Sequence, residues 1–293
     1  MEEFYNRNYK KLLFIPILLL VLSLIIIGNN YRKTGDIINK DVSLKGGLSI
    51  EFYSDNIKKE SFKNLEEELK KKFEGKDLFI RKSIDLTTSQ QNGLIIETSD
   101  AKESEIKKII ETNLNIKLVG DTNYFVKETS SSLGKSFYQQ MLVTILLAFG
   151  FMSVTVLIIY RKLVPSIAII LAPILNMINV IAVINLIGFR VSDATVAALL
   201  LMIGYSVDTD ILLTTKVLGK KEGTVFHRIY DSFVTGITMT AAAVIALLFA
   251  YLGTNSFVLK EMFIVLIIGL SNDVISTYLM NAGLLRLYLK NEN

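Results

Sequence analysis

The sequence predicts a polytopic α-helical membrane protein of six transmembrane helices, with an α+β domain outside the membrane between helices 1 and 2. Hydrophobic residues make up 51% of the 293 residues, and the mean hydropathy is +0.43. They are gathered into blocks long enough to cross a bilayer. One polar, highly charged stretch separates the first block from the others. The expected domains are therefore 1–28, 29–135 and 136–293.

The first apolar block covers residues 12–28 and follows three basic residues. It is longer than the apolar core of a signal peptide and lacks a small-residue cleavage site, so we expect an uncleaved anchor helix. Five more blocks of membrane-spanning length follow, at 138–160, 164–188, 194–213, 232–258 and 262–285. Together they predict six membrane helices.

Basic residues in the short connections predict the orientation, because such residues accumulate on the cytoplasmic side. With a cytoplasmic N-terminus, that side carries Arg7, Lys10, Lys11, Arg161, Lys162, Lys216, Lys220, Lys221, Arg228, Arg286 and Lys290. The short loops on the opposite side carry only Arg190 and Lys260. We therefore expect both termini in the cytoplasm and the 29–135 domain on the outer side of the plasma membrane.

The 29–135 domain alternates between strand and helix patterns. Strand patterns occur at 41–52, 78–84, 94–97 and 116–119, and helical spacing of apolar residues occurs at 62–73 and 106–114. Asp100 followed by Glu103 has the spacing that starts a helix. The order β-α-β-β-α-β is that of a ferredoxin-like unit. Charges of both signs are interspersed without a basic stripe, so no nucleic-acid partner is expected.

Gly46 and Gly47 interrupt the first predicted strand, although glycine weakens a strand interior. The simpler interpretation is a bulge or a close approach of two backbones. The functional interpretation is a bend that sets the outer domain relative to the membrane.

Two aspartates, Asp208 and Asp210, lie near the middle of the fourth apolar block. A carboxylate there costs roughly 2.5–3.5 kcal/mol on insertion scales, so a purely structural helix would not favour it. Successive helical residues turn by roughly 100°, so the two side chains point to nearly opposite sides. Asp208 shares its side with Leu201, Gly204, Tyr205 and Leu212, and Asp210 shares the other side with Ile203, Ser206 and Thr214.

Further polar residues lie at a similar depth, with Asp273 in the sixth block and Asn176 and Asn179 in the third. All fall roughly 16–22 Å into a core about 30 Å thick. Hydrogen bonds between helices are the simpler interpretation of the two asparagines. The blocks contain no basic residue that could neutralise the aspartates, which are therefore protonated or contact water or a cationic partner. Asp208, Asp210 and Asp273 are the candidates for a proton relay.

Nothing in the sequence indicates an enzyme. It has no phosphate-binding glycine loop, no paired nucleophile and base, and no cysteine, so we expect neither cofactor nor metal. The only histidine, His227, falls in a short polar loop and receives no role.

These features together resemble the SecF family, one half of the SecD–SecF protein-export complex. The resemblance rests on one span, an outer domain opened by Lys45-Gly46-Gly47, five further spans, and the motif of Gly204, Tyr205, Ser206, Val207, Asp208, Thr209 and Asp210 on the fourth. It implies membership of the proton-driven resistance-nodulation-division (RND) superfamily. It also implies an obligate SecD partner and action, in the lipid bilayer, on preproteins emerging from the SecY channel.

The sequence departs from the bacterial pattern of this family. Bacterial members read Gly-Tyr-Ser-x-Asn-Asp-Thr, whereas Asp208 stands at the Asn position and Thr209 at the Asp position, which leaves open whether Asp208 or Asp210 takes the acidic role. Ser43 stands where relatives carry an acid in the outer strand, and Asp273 where they carry small or hydroxyl residues. The pattern looks archaeal, which implies export without the ATP-driven SecA motor.

Two functional hypotheses follow. In the first, proton movement past the aspartates shifts the helices and moves the outer domain, so that the protein promotes export. In the second, the protein is a non-conducting scaffold whose aspartates only hold the SecD interface. A small-molecule efflux pump would need larger outer domains that enclose a substrate.

Overall fold

The structure, a computed structural model, describes residues 2–54, 59–84, 91–120, 122–219, 223–254 and 256–292. Its elements in chain order are α1 (Glu2–Leu12), α2 (Phe14–Thr34), α3 (Val42–Lys45), β1 (Gly47–Tyr53), α4 (Lys59–Lys72), β2 (Leu78–Ile84), β3 (Gln91–Thr98), α5 (Glu103–Leu114), β4 (Tyr124–Thr129), α6 (Ser131–Tyr160), α7 (Leu163–Leu186), α8 (Asp193–Gly219), α9 (Val225–Gly253), α10 (Phe257–Ile275), a π-helical turn (Ser276–Asn281) and α11 (Ala282–Glu292).

Six helical segments of the described chain are long and apolar enough to cross a membrane, which confirms the expected number. The first helix continues past Gly28 to Thr34, and the second begins at Ser131. The expected end of the fifth helix at Val258 is wrong. Helix α9 ends at Gly253, and α10 starts after Ser256, whose hydroxyl accepts the Leu259 N–H.

The membrane helices form an inner and an outer group. The buried share of each helix's most apolar segment is 61% for α7, 39% for α8 and 44% for the segment that includes α10. The same share is 11% for the segment that includes α2 and 6% each for α6 and α9. The inner three helices therefore form the core of the bundle. The outer three present most of their apolar surface to lipid or to a partner, since exposed apolar side chains are stable in hydrocarbon.

The domain between α2 and α6, called the outer domain after its predicted location, contains a four-stranded sheet with strand order β2-β3-β1-β4, and every neighbouring pair is antiparallel. Leu48, Ile50 and Phe52 alternate with more exposed residues and pack beneath α4 and α5. The order of elements is β-α-β-β-α-β, as expected from the sequence.

Two strand predictions are wrong. The first strand begins at Gly47 rather than at residue 41, because the Asp41 carboxylate accepts the Ser43 N–H and starts the short helix α3. The last strand is Tyr124–Thr129 rather than 116–119. The Asn123 side chain accepts the Val119 N–H at 2.8 Å. This hydrogen bond forms a turn at the end of the apolar run 116–119, which was predicted to be the strand.

The capping interaction predicted at the start of α5 is also wrong. The N-cap residue is Lys102, which makes no capping hydrogen bond through its side chain. The Asp100 carboxylate instead accepts the backbone N–H of Asp77 at 2.9 Å, and so ties two loops of the outer domain together.

Gly46 and Gly47 allow close backbone contact, which confirms the simpler of the two interpretations. Gly46 has φ +87°, and a Cβ placed on it would lie 2.5 Å from Ser131 Cα at the start of α6. A Cβ on Gly134, one turn into α6, would overlap the Gly46 backbone nitrogen. This contact holds the first strand of the outer domain against the second membrane helix.

An ionic network, here called the outer junction, joins the sheet to the bundle through Arg81, Glu97, Glu261, Arg190 and Asp77. The Arg81 guanidinium donates to Glu97 on β3 and to Glu261 on α10. Arg190, between α7 and α8, donates to Asp77 at 2.8 Å and lies 3.6 Å from Glu97. The sheet is therefore tied to the outer ends of the inner membrane helices.

The pKa values of two acids near the outer junction shift in opposite directions, because only one of the acids has cationic partners. Burial raises the pKa of Asp77, but Lys45 and Arg190 outweigh it and hold this pKa below its usual range. Burial raises the pKa of Asp41 from 3.8 to about 6 against the hydrogen bond from Ser43, and no cation pairs with Asp41 among the described residues. One acid is thus held ionised, and the other takes up a proton readily.

Candidate functional site: buried carboxyl groups between membrane helices

Helix α8 carries its two acids on opposite faces. Gly204, Tyr205 and Asp208 are exposed on the side that points away from the bundle, whereas Ser206 and Asp210 are buried. The opposite facing expected from the helical turn is confirmed. Asp210 therefore lies in the interior of the protein, and Asp208 lies on its outer surface.

Asp273 of α10 is held by neutral hydrogen-bond donors from three helical segments. Its Oδ1 accepts from the Ser206 hydroxyl of α8 and from Asn176 Nδ2 of α7 at 3.3 Å. Its Oδ2 accepts from Thr277 in the π-helical turn at 3.5 Å. The carboxyl group is 1% exposed, so it is sealed from bulk solvent in this conformation.

Asp210 lies beside Asp273 and has fewer partners. Its Oδ1 accepts from Asn281 Nδ2 at 2.8 Å, while its Oδ2 has no hydrogen-bond partner among the described residues. The Thr277 hydroxyl donates to Asp273, and the two carboxyl groups are close enough to interact electrostatically. Asp210 and Asp273 are here called the buried pair.

The two candidate asparagines have different places. Asn176 donates to Gly269 O at 3.2 Å as well as to Asp273, and its Oδ1 accepts from Asn272 at 2.6 Å. Asn179 instead accepts from Ser23 of α2 at 2.9 Å. The expected hydrogen bonding between helices is confirmed for both, and only Asn176 also reaches the buried pair.

The π-helical turn supplies site residues that sequence analysis missed. A π turn contains one extra residue per turn and often marks a functional site in a helix. Here it directs Thr277 and Asn281 toward α8, where they meet the buried pair. Asp273, Thr277 and Asn281 follow one another at intervals of four residues, and this polar stripe on an apolar helix was the available signal.

Close helix packing surrounds the buried pair. A Cβ on Gly269 of α10 would overlap Met202 of α8, and a Cβ on Gly236 of α9 would overlap the Tyr278 hydroxyl. The Thr209 hydroxyl donates to Tyr205 O at 3.1 Å, and the Thr209 methyl group lies toward Gly236. Movement of α8 relative to α10 therefore requires these contacts to rearrange together.

The chemistry available at the buried pair is proton exchange. No salt bridge reaches Asp210 or Asp273 within the described ranges, and the sequence has no basic residue in the membrane-depth parts of α7, α8 and α10. Two adjacent carboxylates in a low-dielectric interior repel each other strongly, so the pair keeps at least one proton.

The sequence matches a family model described as "Protein export membrane protein SecD/SecF, C-terminal" over residues 111–291. Curated relatives include SecF proteins from three archaea. The chain is 36% identical to that of Methanothermobacter thermautotrophicus, with 97% of this chain and 94% of the relative covered. It is 31% identical to those of Pyrococcus furiosus (96% and 91% covered) and Methanocaldococcus jannaschii (97% and 96% covered).

Among solved structures, the fold is similar to SecDF, a translocon-associated membrane protein from Thermus thermophilus. The TM-score is 0.74 at 16% identity, and the match covers 97% of this chain. A second SecDF structure, in a super-membrane-facing form, matches with a TM-score of 0.63 at 17% identity over the same share. This chain spans 38% of the length of those proteins. By its family model and its curated relatives, the chain belongs to the SecF branch of the SecD/SecF family of protein-export membrane proteins.

Proposed function

We propose that this protein is a non-enzymatic subunit of the export machinery that works with SecD and promotes preprotein movement through or from the SecY channel. It acts in the plasma membrane, with both termini in the cytoplasm and a ferredoxin-like domain outside. The distribution of basic loop residues supports this orientation. The antiparallel sheet order β2-β3-β1-β4 supports the assignment of the outer domain.

Proton movement through the buried pair drives this activity. The single observation that carries the proposal is two carboxyl groups, each at most 1% exposed, on adjacent membrane helices with only neutral hydrogen-bond partners in the described chain. Ionisable residues inside membranes are costly and mark proton or ion pathways. The free Oδ2 of Asp210 and the carboxyl group of Asp273 give a proton two places to reside, and the Thr277 hydroxyl beside Asp273 is the group we assign to relay it.

Helix α10 connects the buried pair to the outer domain. Asp273 lies near its inner end, and Glu261, near the opposite end, accepts from Arg81 of β2 and from Ser192 at 2.6 Å. A shift of α10 that follows a change in protonation therefore pulls on the outer junction. That movement of the sheet is the mechanical step we assign to export.

The outward face of α8 is the surface we assign to SecD. Asp208 is exposed there with Gly204 and Tyr205, and a lipid-facing carboxylate at this depth is unfavourable. No atom lies within 4 Å of a Cβ placed on Gly204, so a partner helix can approach closely. The scaffold alternative draws support from the same face, because Asp208 could serve only to hold this interface.

Paired substitutions separate the two hypotheses. Asp210→Asn and Asp273→Asn each remove a titratable proton site while keeping side-chain size, and Asp208→Asn does the same on the opposite face of α8. We expect the first two variants to lose the proton-gradient dependence of preprotein export by proteoliposomes that contain the SecD complex, yet to co-purify with SecD. We expect Asp208→Asn to weaken co-purification.

Two outcomes contradict the proton proposal. One is export by both buried-pair variants at the parental rate with the parental response to an imposed pH gradient. The other is loss of SecD binding in the buried-pair variants with no change in the gradient response of the complexes that remain, which favours the scaffold alternative.

A further inference from the structure

An apolar cleft of about 290 Å³ opens between the first and fifth membrane segments at the basic end of the bundle. Its lining side chains come from α1, α9 and the π-helical turn and are all apolar or aromatic: Tyr5, Leu12, Phe226, Ile229, Tyr230, Phe233, Tyr278 and Leu279. It lies apart from the buried pair and from the outward face of α8. Nothing in the export role proposed above requires it.

The cleft opens toward the bilayer. The apolar segments of the two helices beside it, α2 and α9, are among the least buried in the bundle, at 11% and 6%. Tyr230, on its α9 wall, is 40% exposed. Water gains few hydrogen bonds in such a space, whereas a hydrocarbon chain fills it without loss.

Positive charge borders the cleft. The Arg286 guanidinium lies over the rings of Tyr5 and Tyr9, at 5.2 and 5.0 Å from their centroids, and Tyr5 forms one wall. Its NH2 donates to Asn6, while its NH1 is buried and has no hydrogen-bond partner among the described residues. Arg7, Lys10 and Lys11 are exposed on the same short helix. Of the nearby acids, Glu2 and Glu3 are exposed at the start of α1, and Asp231 is paired with His227 at 3.7 Å.

We propose that this cleft binds an anionic phospholipid, with an acyl chain between α1 and α9 and the phosphate toward Arg286. An aromatic-lined slot next to a guanidinium with an unused donor matches the two chemical parts of such a lipid. Tyr278 and Leu279 form the inner wall, and Tyr278 donates to Ser232 O at 3.0 Å. The bound chain therefore packs against the turn that also carries Thr277.

The natural chain contains no tryptophan, which allows a single fluorescent reporter. Tyr230→Trp places the reporter in the cleft, and Leu163→Trp places a matched control on α7, where Leu163 is 72% exposed at the same end of the bundle. The full-length protein is reconstituted in vesicles that contain phosphatidylglycerol or phosphatidylcholine with brominated acyl chains, and quenching of the tryptophan reports contact with each lipid.

We expect the reporter at position 230 to show an apparent affinity for the anionic lipid about fivefold above that for the zwitterionic one, as one cationic contact predicts. The control at position 163 shows no such preference. Adding Arg286→Gln removes the preference at position 230, and Arg286→Lys retains it. If the Arg286→Gln protein does not fold, Leu279→Phe, which fills the cleft, replaces it and also abolishes the preference.

Three results overturn the proposal. The first is equal quenching by both lipids at position 230, which means ordinary bilayer contact. The second is the same preference at position 163, which means that anionic lipid gathers around the whole basic end. The third is absence of quenching at position 230, which means that protein rather than lipid covers the cleft.

Discussion

Two acids of the outer junction, Glu97 and Glu261, are nearly as hidden from solvent as the buried pair but are neutralised in a different way. The side chains of Glu97 and Glu261 are 3% and 4% exposed, and both accept from Arg81. Asp210 and Asp273 are 0% and 1% exposed and have only hydroxyl and amide partners in the described chain. A buried carboxylate needs a cation or a proton. The outer junction therefore neutralises its buried carboxylates with a guanidinium group, whereas the buried pair has no cation in the described chain and needs a proton.

The largest expected effect breaks the outer junction. Arg81→Leu leaves two buried carboxylates without their main partner, which destabilises the protein by about 3–5 kcal/mol. Thermal unfolding in detergent measures the loss, with the exposed pair as a control: Lys70→Ala, whose partner Glu66 lies 2.7 Å away, costs about 0.5 kcal/mol or less. If the Arg81→Leu protein were as stable as the control, burying the two carboxylates without Arg81 would not lower the free energy of unfolding.

The next effect tests the backbone contact beside the junction. Gly134→Ala forces a Cβ into the Gly46 backbone, so α6 and the first strand must separate, at a cost of about 1–3 kcal/mol. Gly150→Ala is the matched control on the same helix, because nothing lies within 4 Å of its Cβ position. Limited proteolysis of the outer domain, together with thermal unfolding, reports the separation. Equal behaviour of the two variants would exclude a role for this contact.

The dependence of stability on pH sharpens the comparison at Asp41, which lies near the outer junction yet has no cationic partner among the described residues. Its pKa is raised from 3.8 to about 6, so between these values the folded chain holds more protons than the unfolded chain. The contribution of Asp41 to stability therefore falls as pH rises through this window, by at most about 3 kcal/mol, and is level above it. Asp41→Asn keeps an acceptor for the Ser43 N–H and removes this contribution to the slope.

Asp77 is the control with the opposite sign. Because its pKa is lowered, its contribution to stability is present above 3.8 and is lost as pH falls through the lower pKa of the folded state. Thermal unfolding across pH distinguishes the two acids. A slope that survives in Asp41→Asn would assign the window to another group.

The smallest expected effect lies at Thr277, beside the buried pair. Thr277→Val keeps the shape of the side chain and removes the hydroxyl that donates to Asp273, at a cost of about 1 kcal/mol in stability. Thr238→Val on the exposed side of α9 removes a hydroxyl bonded only to Val234 O and serves as the control. We expect proton-dependent export to slow in the first variant alone. Equal export in the two variants would remove Thr277 from the relay.

Sequence periodicity predicted the membrane helices and the facing of the acids, because both depend on local geometry. The number of spans and the opposite exposure of Asp208 and Asp210 are confirmed. The strand errors arose where side chains of Asp41 and Asn123 capture backbone N–H groups and end the extended conformation. Such local hydrogen bonds compete with the alternation of apolar residues that a pattern detects.

The partners of each acid could not be predicted, because they depend on which helices meet. The predicted proton relay contained Asp208 as well as Asp210 and Asp273, yet only the last two come together. The four-residue spacing of Thr277 and Asn281 marks a polar stripe, but it does not show that Asn281 donates to Asp210 on another helix. The close contact between Gly46 and Gly134 likewise joins segments that are distant in the sequence. Only Gly46 belonged to a recognisable motif.

Infrared spectroscopy of the carboxyl stretch tests most directly whether a proton neutralises the buried pair. Spectra of the full-length protein in membranes are compared with those of Asp210→Asn, Asp273→Asn and Asp208→Asn near neutral pH. The account predicts a protonated carboxyl band in the parent that weakens in one or both buried-pair variants and is unchanged in Asp208→Asn. A band that is absent from the parent, or that survives intact in both buried-pair variants, would contradict it.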